Sequence, residues 1–219
     1  MSPATVSIHP APRPTRRLSA KLIAALVLWV GAALLGTGSL LAYQQRAGAP
    51  AVAPKAWPSD TGVPRDETLP TLVMVVHPKC SCSRASIGEL SKLMTQLSGK
   101  MVTRVLFVLP AHVAQDWANT DLYRSASAIT GVDVRIDVGG AEAKRFGALT
   151  SGQSYLYSPA GTLMFSGGIT ASRGHHGDNL GSKSIVSIVT GASSGRADQP
   201  ATNVYGCEIP DPPGSETTN

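Results

Sequence analysis

Two cysteines one residue apart, Cys80-Ser81-Cys82, follow directly on His77-Pro78-Lys79, and a third, Cys207, lies in the tail of the 219-residue chain. A thiol attacks a disulfide or binds a soft metal only as the thiolate. The segment after Pro78 reads as the start of a helix, where unsatisfied amide N–H groups and the helix dipole favour the thiolate, and Lys79 and Arg84 add positive potential. Cys80 is therefore the candidate attacking thiolate, Cys82 the candidate resolving thiol, and His77 a candidate proton-transfer group. In a regular helix, side chains two apart point about 200° from each other, so a Cys80–Cys82 ring requires a non-helical turn at Ser81. Such a small ring is expected to be strained and oxidising. Three cysteines cannot all pair within one monomer, so Cys207 is either an incidental cysteine or a resolving or ligand residue.

A second constellation lies in residues 167–179, which hold four glycines with Arg173, His175, His176 and Asp178. Two imidazoles and a carboxylate facing two thiols form either a proton-handling site or a metal site, and thiolates beside imidazole suit Cu(I). Thiol-disulfide exchange by Cys80 and Cys82, the leading reading, needs no cofactor. The alternative is a periplasmic copper carrier with Cys80, Cys82, Cys207, His175 and His176 as metal ligands, and a third is a redox-inactive scaffold. Adjacent loop histidines also occur simply solvated, and Asp178 or Asn179 serves equally as a helix N-cap.

The elements that must position these residues follow from the hydrophobic pattern. Of sixteen prolines only Pro78, Pro110 and Pro159 fall within residues 71–199, so that part can hold uninterrupted helices and strands. The β-branched run Thr71 to Val76 predicts a buried strand, and Ile87, Leu90, Leu93, Met94 and Leu97 have helical spacing ended by Gly99. Then come a strand over 101–109, a helix over 116–129, a short strand over 134–138, one or two helical turns over 141–148, a hairpin with its turn at Pro159-Ala160-Gly161, and a last helix through Ile185, Ile188 and Val189.

Leu22 to Tyr43 is a 22-residue stretch without formal charge, long enough to cross a bilayer as a helix. Four bases precede it within a dozen residues and only Arg46 follows closely, which places the N-terminus in the cytoplasm and the remainder in the periplasm of a bacterial inner membrane. A cleaved signal peptide is the competing interpretation; Thr15-Arg16-Arg17 gives only a weak hint of a twin-arginine signal. The organisation expected is a cytoplasmic N-terminus over 1–21, a transmembrane helix over 22–43, a Pro/Ala-rich spacer over 44–70, a folded domain over 71–191 and an irregular tail over 192–219. The net charge of +5 divides into +5 for residues 1–46, −1 for 47–70, +4 for 71–199 and −3 beyond, without a basic run. Nucleic acid is therefore not an expected partner.

The order strand-helix, strand-helix, strand, helix, hairpin, helix, with cysteines where the first strand meets its helix, resembles the thioredoxin fold over residues 71–190. Arg145-Phe146-Gly147-Ala148, Tyr155-Leu156-Tyr157-Ser158-Pro159-Ala160-Gly161 and Leu163-Met164-Phe165 resemble the second half of membrane-anchored thioredoxins of the peroxiredoxin-like, TlpA-type branch. More narrowly, His77 to Ser86, Phe165 to Thr170 and Arg173 to Asn179 are similar to the bacterial RedB-like group. The resemblance implies an α/β fold, a mixed sheet flanked by helices and preceded by one transmembrane helix. It also implies thiol-disulfide exchange with protein thiols or disulfides in the periplasm, linked to a membrane reductant or oxidant. Two departures stand out: the family's pair is Cys-x-x-Cys, and its cis-proline near Gly152 is replaced by Thr150-Ser151-Gly152-Gln153. In such a sheet the second hairpin strand ends on the edge where the first strand ends, so His175 or His176 is expected within reach of the Cys80–Cys82 turn.

Overall fold

The computed structural model describes residues 19–192 and 201–209, and the expectations for the basic N-terminal residues, the Arg16-Arg17 pair and the rest of the tail lie outside them. The chain divides into two units, Met1–Ala42 and Tyr43–Asn219. Helix α1, Ala20–Gln44, has no buried residue and is long and apolar enough to cross a membrane. Its 25 residues span about 37 Å, more than the hydrocarbon core of a bilayer.

The second unit is built on a five-stranded mixed sheet. Its strands are β1 (Thr71–Val76), β2 (Val102–Leu109), β3 (Val132–Val138), β4 (Gln153–Tyr157) and β5 (Leu163–Gly167), in the order β3-β2-β1-β4-β5. The first three are parallel, β4 runs antiparallel to β1, and β5 antiparallel to β4. All six residues of β1 are buried, as expected of a central strand covered on both faces. Leu72, Met74 and Val76 face one core with α2 (Ser83–Gln96), α3 (Asp121–Ser127) and α5 (Leu180–Val189), the last capped by Asn179. Val73 and Val75 face a second core with Phe146, Tyr155 and Tyr157 and the short helix α4 (Ala141–Arg145). This is the thioredoxin-like α/β architecture expected from the order of elements.

Three segments differ from the sequence expectation. The helix foreseen over 116–129 breaks into a single 3-10 turn, Gln115–Ala118, and α3, because Thr120 adopts an extended backbone and caps α3 by accepting the Tyr123 N–H at 3.2 Å. Residues 47–70 are not a free spacer. Val63 is buried, Trp57 stands edge-on to Phe146 and Tyr157 at 5.2 and 5.1 Å, and the Trp57 N–H donates to the Gly161 carbonyl. The cause is the brevity of α4, whose five residues leave much of the second sheet face to be covered by something else. Of the tail, residues 201–209 hold no helix and are fixed to the domain by isolated bridges from Thr202 to Gly167 and from Glu208 to Thr150.

Candidate functional site

The end of β1 leads into a series of tight turns before α2. The Cys80 N–H donates to His77 O, Ser83 to Cys80, Arg84 to Ser81 and Ala85 to Cys82, each three residues back. Cys82 has helical angles, φ −65° and ψ −33°. The turn through Ser81 is therefore wound rather than extended, the geometry in which side chains two apart diverge. Cys80, Cys82 and Cys207 are all free thiols here, with Cys80 buried and the other two partly exposed.

The group against Cys80 is Cys207. Its backbone N–H donates to the Cys80 sulfur at 3.2 Å. Burial opposes ionisation of Cys80, but hydrogen bonds from Cys207 and from both the side chain and backbone of Ser83 outweigh it, and the thiol is held below its ordinary value. Burial, followed by the hydrogen bond and charge of Cys80 and the charge of Cys82, pushes the Cys207 thiol up to about 12. Of the two, Cys80 is the one whose thiolate form is favoured.

A chain of small hydroxyls orients the Ser83 donor. The His77 N–H donates to Ser151 Oγ at 2.8 Å, and Ser151 Oγ lies 2.6 Å from Ser83 Oγ. With Ser151 donating to Ser83, the Ser83 hydroxyl proton is left for the Cys80 sulfur. The cations foreseen as thiolate stabilisers point elsewhere: Lys79 Nζ sits 4.2 Å above the Trp117 ring, and Arg84 pairs with Asp121. Hydrogen bonding, rather than nearby charge, favours the Cys80 thiolate.

His77 is half-buried, its ring edge-on to Trp117 at 5.6 Å, and its Nδ1 accepts the Lys79 N–H at 3.3 Å. Burial, and then the charge of Lys79, hold its imidazole below the usual value. The loop after β5 does fold toward α2, but past the cysteines. His176 packs over Gly88 with Nδ1 3.8 Å from Glu89 Oε1, and the Gly177 N–H donates to that same oxygen at 2.8 Å. Gly88 is six residues beyond Cys82, about 9 Å along the helix axis. His175 is exposed, with its Nδ1 2.9 Å from the Arg173 carbonyl. Among the described residues, no group of three or more His, Cys, Asp or Glu side chains is assembled to hold a metal ion. The proposed copper ligands are thus divided, with sulfurs at the start of α2 and imidazoles farther along it or in solvent.

Two contributors went unread in the sequence. Ser83 stands three residues after Cys80, at the spacing of a Cys-x-x-Cys pair with a hydroxyl in place of the thiol. Gly206, immediately before Cys207, lies so close to the chain at Ser151 that a Cβ there would stand 1.8 Å from the Ser151 carbonyl oxygen.

Neither protein-family models nor curated proteins give a match to this chain. Among solved structures, a hypothetical protein from Sinorhizobium meliloti 1021 superimposes with a TM-score of 0.59 at 16% identity, covering 77% of this chain and 100% of that one. An uncharacterized conserved protein from Geobacillus kaustophilus gives 0.56 at 18%, covering 78% and 95%. The thioredoxin domain of a thiol-disulfide oxidoreductase from Bacteroides vulgatus gives 0.42 at 14%, covering 66% and 98%. What the chain shares with the first two is a fold, and the strand order and directions make that fold thioredoxin-like.

Proposed function

We propose that this chain is a thiol-disulfide oxidoreductase, tethered to the bacterial inner membrane by α1 with its domain in the periplasm, exchanging disulfides with protein thiols. The observation that carries the reading is the buried Cys80 sulfur at the mouth of α2, which accepts the Cys207 N–H at 3.2 Å, a contact that favours its thiolate. The thiolate is both the attacking and the better leaving species in disulfide exchange. A second thiol completes the cycle, either Cys82 in the Cys-x-Cys spacing or Cys207. His77, kept neutral, is the imidazole that this reading places beside the turn for proton transfer, and its carbonyl already accepts the Cys80 N–H. The RedB-like affinity rests on the motifs at 77–86 and 165–179.

The test uses the full chain in detergent micelles, equilibrated with mixtures of reduced and oxidised dithiothreitol. The expected result is a reversible two-electron titration that Cys80→Ser abolishes. Thiols that stay reduced at every ratio overturn the reading. An active alkaline phosphatase fused after the tail supports the periplasmic placement, and an inactive one refutes it.

A further inference from the structure

Cys207 is delivered to Cys80 by a segment built into the fold through its main chain. The Ser151 N–H donates to the Cys207 carbonyl at 2.8 Å and the Ile209 N–H to that of Leu149 at 2.9 Å, while Arg173 clamps the Gly206 carbonyl at 2.7 Å. Val204 and Ile209 are buried, and Ile209 joins the core beneath β1 and β4. These contacts hold the main chain at position 207 against Ser151.

The alternatives for a partner to Cys80 then separate on geometry. Cys82 shares a wound turn with Cys80, so their side chains diverge, and a disulfide between them requires that turn and the first bonds of α2 to open. Cys207 N lies 3.2 Å from the Cys80 sulfur, which places the Cys207 Cα within about 4.7 Å of it and a rotated Cys207 side chain within bonding reach. We propose that Cys207, rather than Cys82, is the second thiol of the redox pair, a Cys80–Cys207 disulfide forming and breaking as the protein exchanges electrons with dithiols. This rests on the oxidoreductase reading above.

Exposure assigns the two sulfurs different work. Cys80 is 2% exposed, whereas Cys207 is partly open to solvent. A substrate thiolate attacks the Cys207 sulfur of the oxidised pair, forming a substrate–Cys207 mixed disulfide, and the Cys80–Cys207 bond breaks with Cys80 leaving as its stabilised thiolate. A second substrate thiolate attacks the substrate sulfur of that mixed disulfide, forming the substrate disulfide and releasing Cys207, which takes up a proton. Two substrate thiols lose two electrons and two protons. The protein gains both electrons, and one proton stays on Cys207 while the other passes to solvent. In reverse, the Cys80 thiolate resolves a mixed disulfide carried on Cys207.

Peptide mapping decides between the partners. Trypsin cuts after Lys79, Arg84 and Arg196, so Cys80 and Cys82 share the peptide 80–84 while Cys207 lies in 197–219. The full chain in micelles is equilibrated in the dithiothreitol mixtures, its free thiols alkylated and the digest weighed. The expected result is peptide 80–84 linked to 197–219, retained in Cys82→Ser at a midpoint ratio within about twofold of wild type, and lost in Cys207→Ser. A disulfide closed within 80–84, formed equally by Cys207→Ser and absent from Cys82→Ser, overturns the inference and leaves the oxidoreductase reading standing. Alkylation of all three cysteines in every mixture overturns both.

Discussion

Replacing Ser83 by alanine removes the hydroxyl that lowers the Cys80 pKa, together with its 2.6 Å hydrogen bond to Ser151. Ser83 is fully buried, and Ser151, its hydroxyl neighbour, keeps the His77 N–H as a partner. A hydrogen bond to a charged group contributes about 1.5–3 kcal/mol, so at any pH below the Cys80 pKa the thiolate fraction falls by roughly ten- to a hundredfold. The surviving thiolate is more basic and more nucleophilic, with a Brønsted coefficient of about 0.4–0.5, so the net fall in reaction rate is roughly three- to tenfold. The assay is the rate of Cys80 alkylation by iodoacetamide between pH 5 and 8, read by mass spectrometry in a Cys82→Ser background so that peptide 80–84 reports one thiol. Access to Cys80 beneath the tail is common to both proteins, so their ratio isolates the ionisation. Rates within twofold of each other across the range, or a change confined to the alkaline plateau, would refute the view that the Ser151–Ser83 pair stabilises this thiolate.

Gly206→Ala should lift the tail, because its Cβ meets backbone rather than a movable side chain; Cys80 alkylation should then accelerate at least about tenfold as burial is lost, and an unchanged rate contradicts the close approach at Ser151. Gly88→Ala should stabilise the domain by up to about 1 kcal/mol in urea unfolding, since a helical glycine is replaced and the atom in the way belongs to the half-exposed imidazole of His176; a loss of stability would show that the loop cannot give. His77 has a depressed pKa in the fold, so the stability it contributes is complete above its unfolded value of about 6.5 and is lost as pH falls through the folded value. His77→Gln should therefore flatten the decline in denaturation midpoint between pH 7.5 and 5, and an equal decline in both proteins would count against it.

How much could be read from the chain depended on whether the determinant was a side-chain pattern. β1 announced itself as a β-branched run, α5 through Asn179 and its apolar spacing, and Cys80 through its place after strand and proline. The break at Thr120 was masked because Trp117, Leu122 and Ile129 keep a helical rhythm across it, although Thr120-Asp121 carries the capping signal. Trp117 instead serves the site, under Lys79 and beside His77. The approach of Cys207 to Cys80 was not legible because main-chain bonds at Leu149 and Ser151 hold it, and such bonds leave little mark on residue type beyond the adjacent Gly206. The His176 imidazole landed on α2 at Gly88 while His175 stayed in solvent, since sheet topology sets the edge from which a loop leaves but not how far along a helix it lands.

The packing of residues 47–70 alters where the folded domain begins. A soluble fragment cut at Thr71, the first strand residue, would strip Val63 and Trp57 from the sheet face and bare Phe146, Tyr155 and Tyr157. It would also remove the Pro54 carbonyl that accepts the Tyr157 hydroxyl and the Gly48 N–H that donates to Val204, three residues before Cys207. Such a fragment would expose a contiguous aromatic patch of the kind that drives aggregation, and would loosen the tail at the sulfur it guards. The domain therefore reaches back at least to Gly48, and the stretch whose composition marks it as tether is the outer wall of the core.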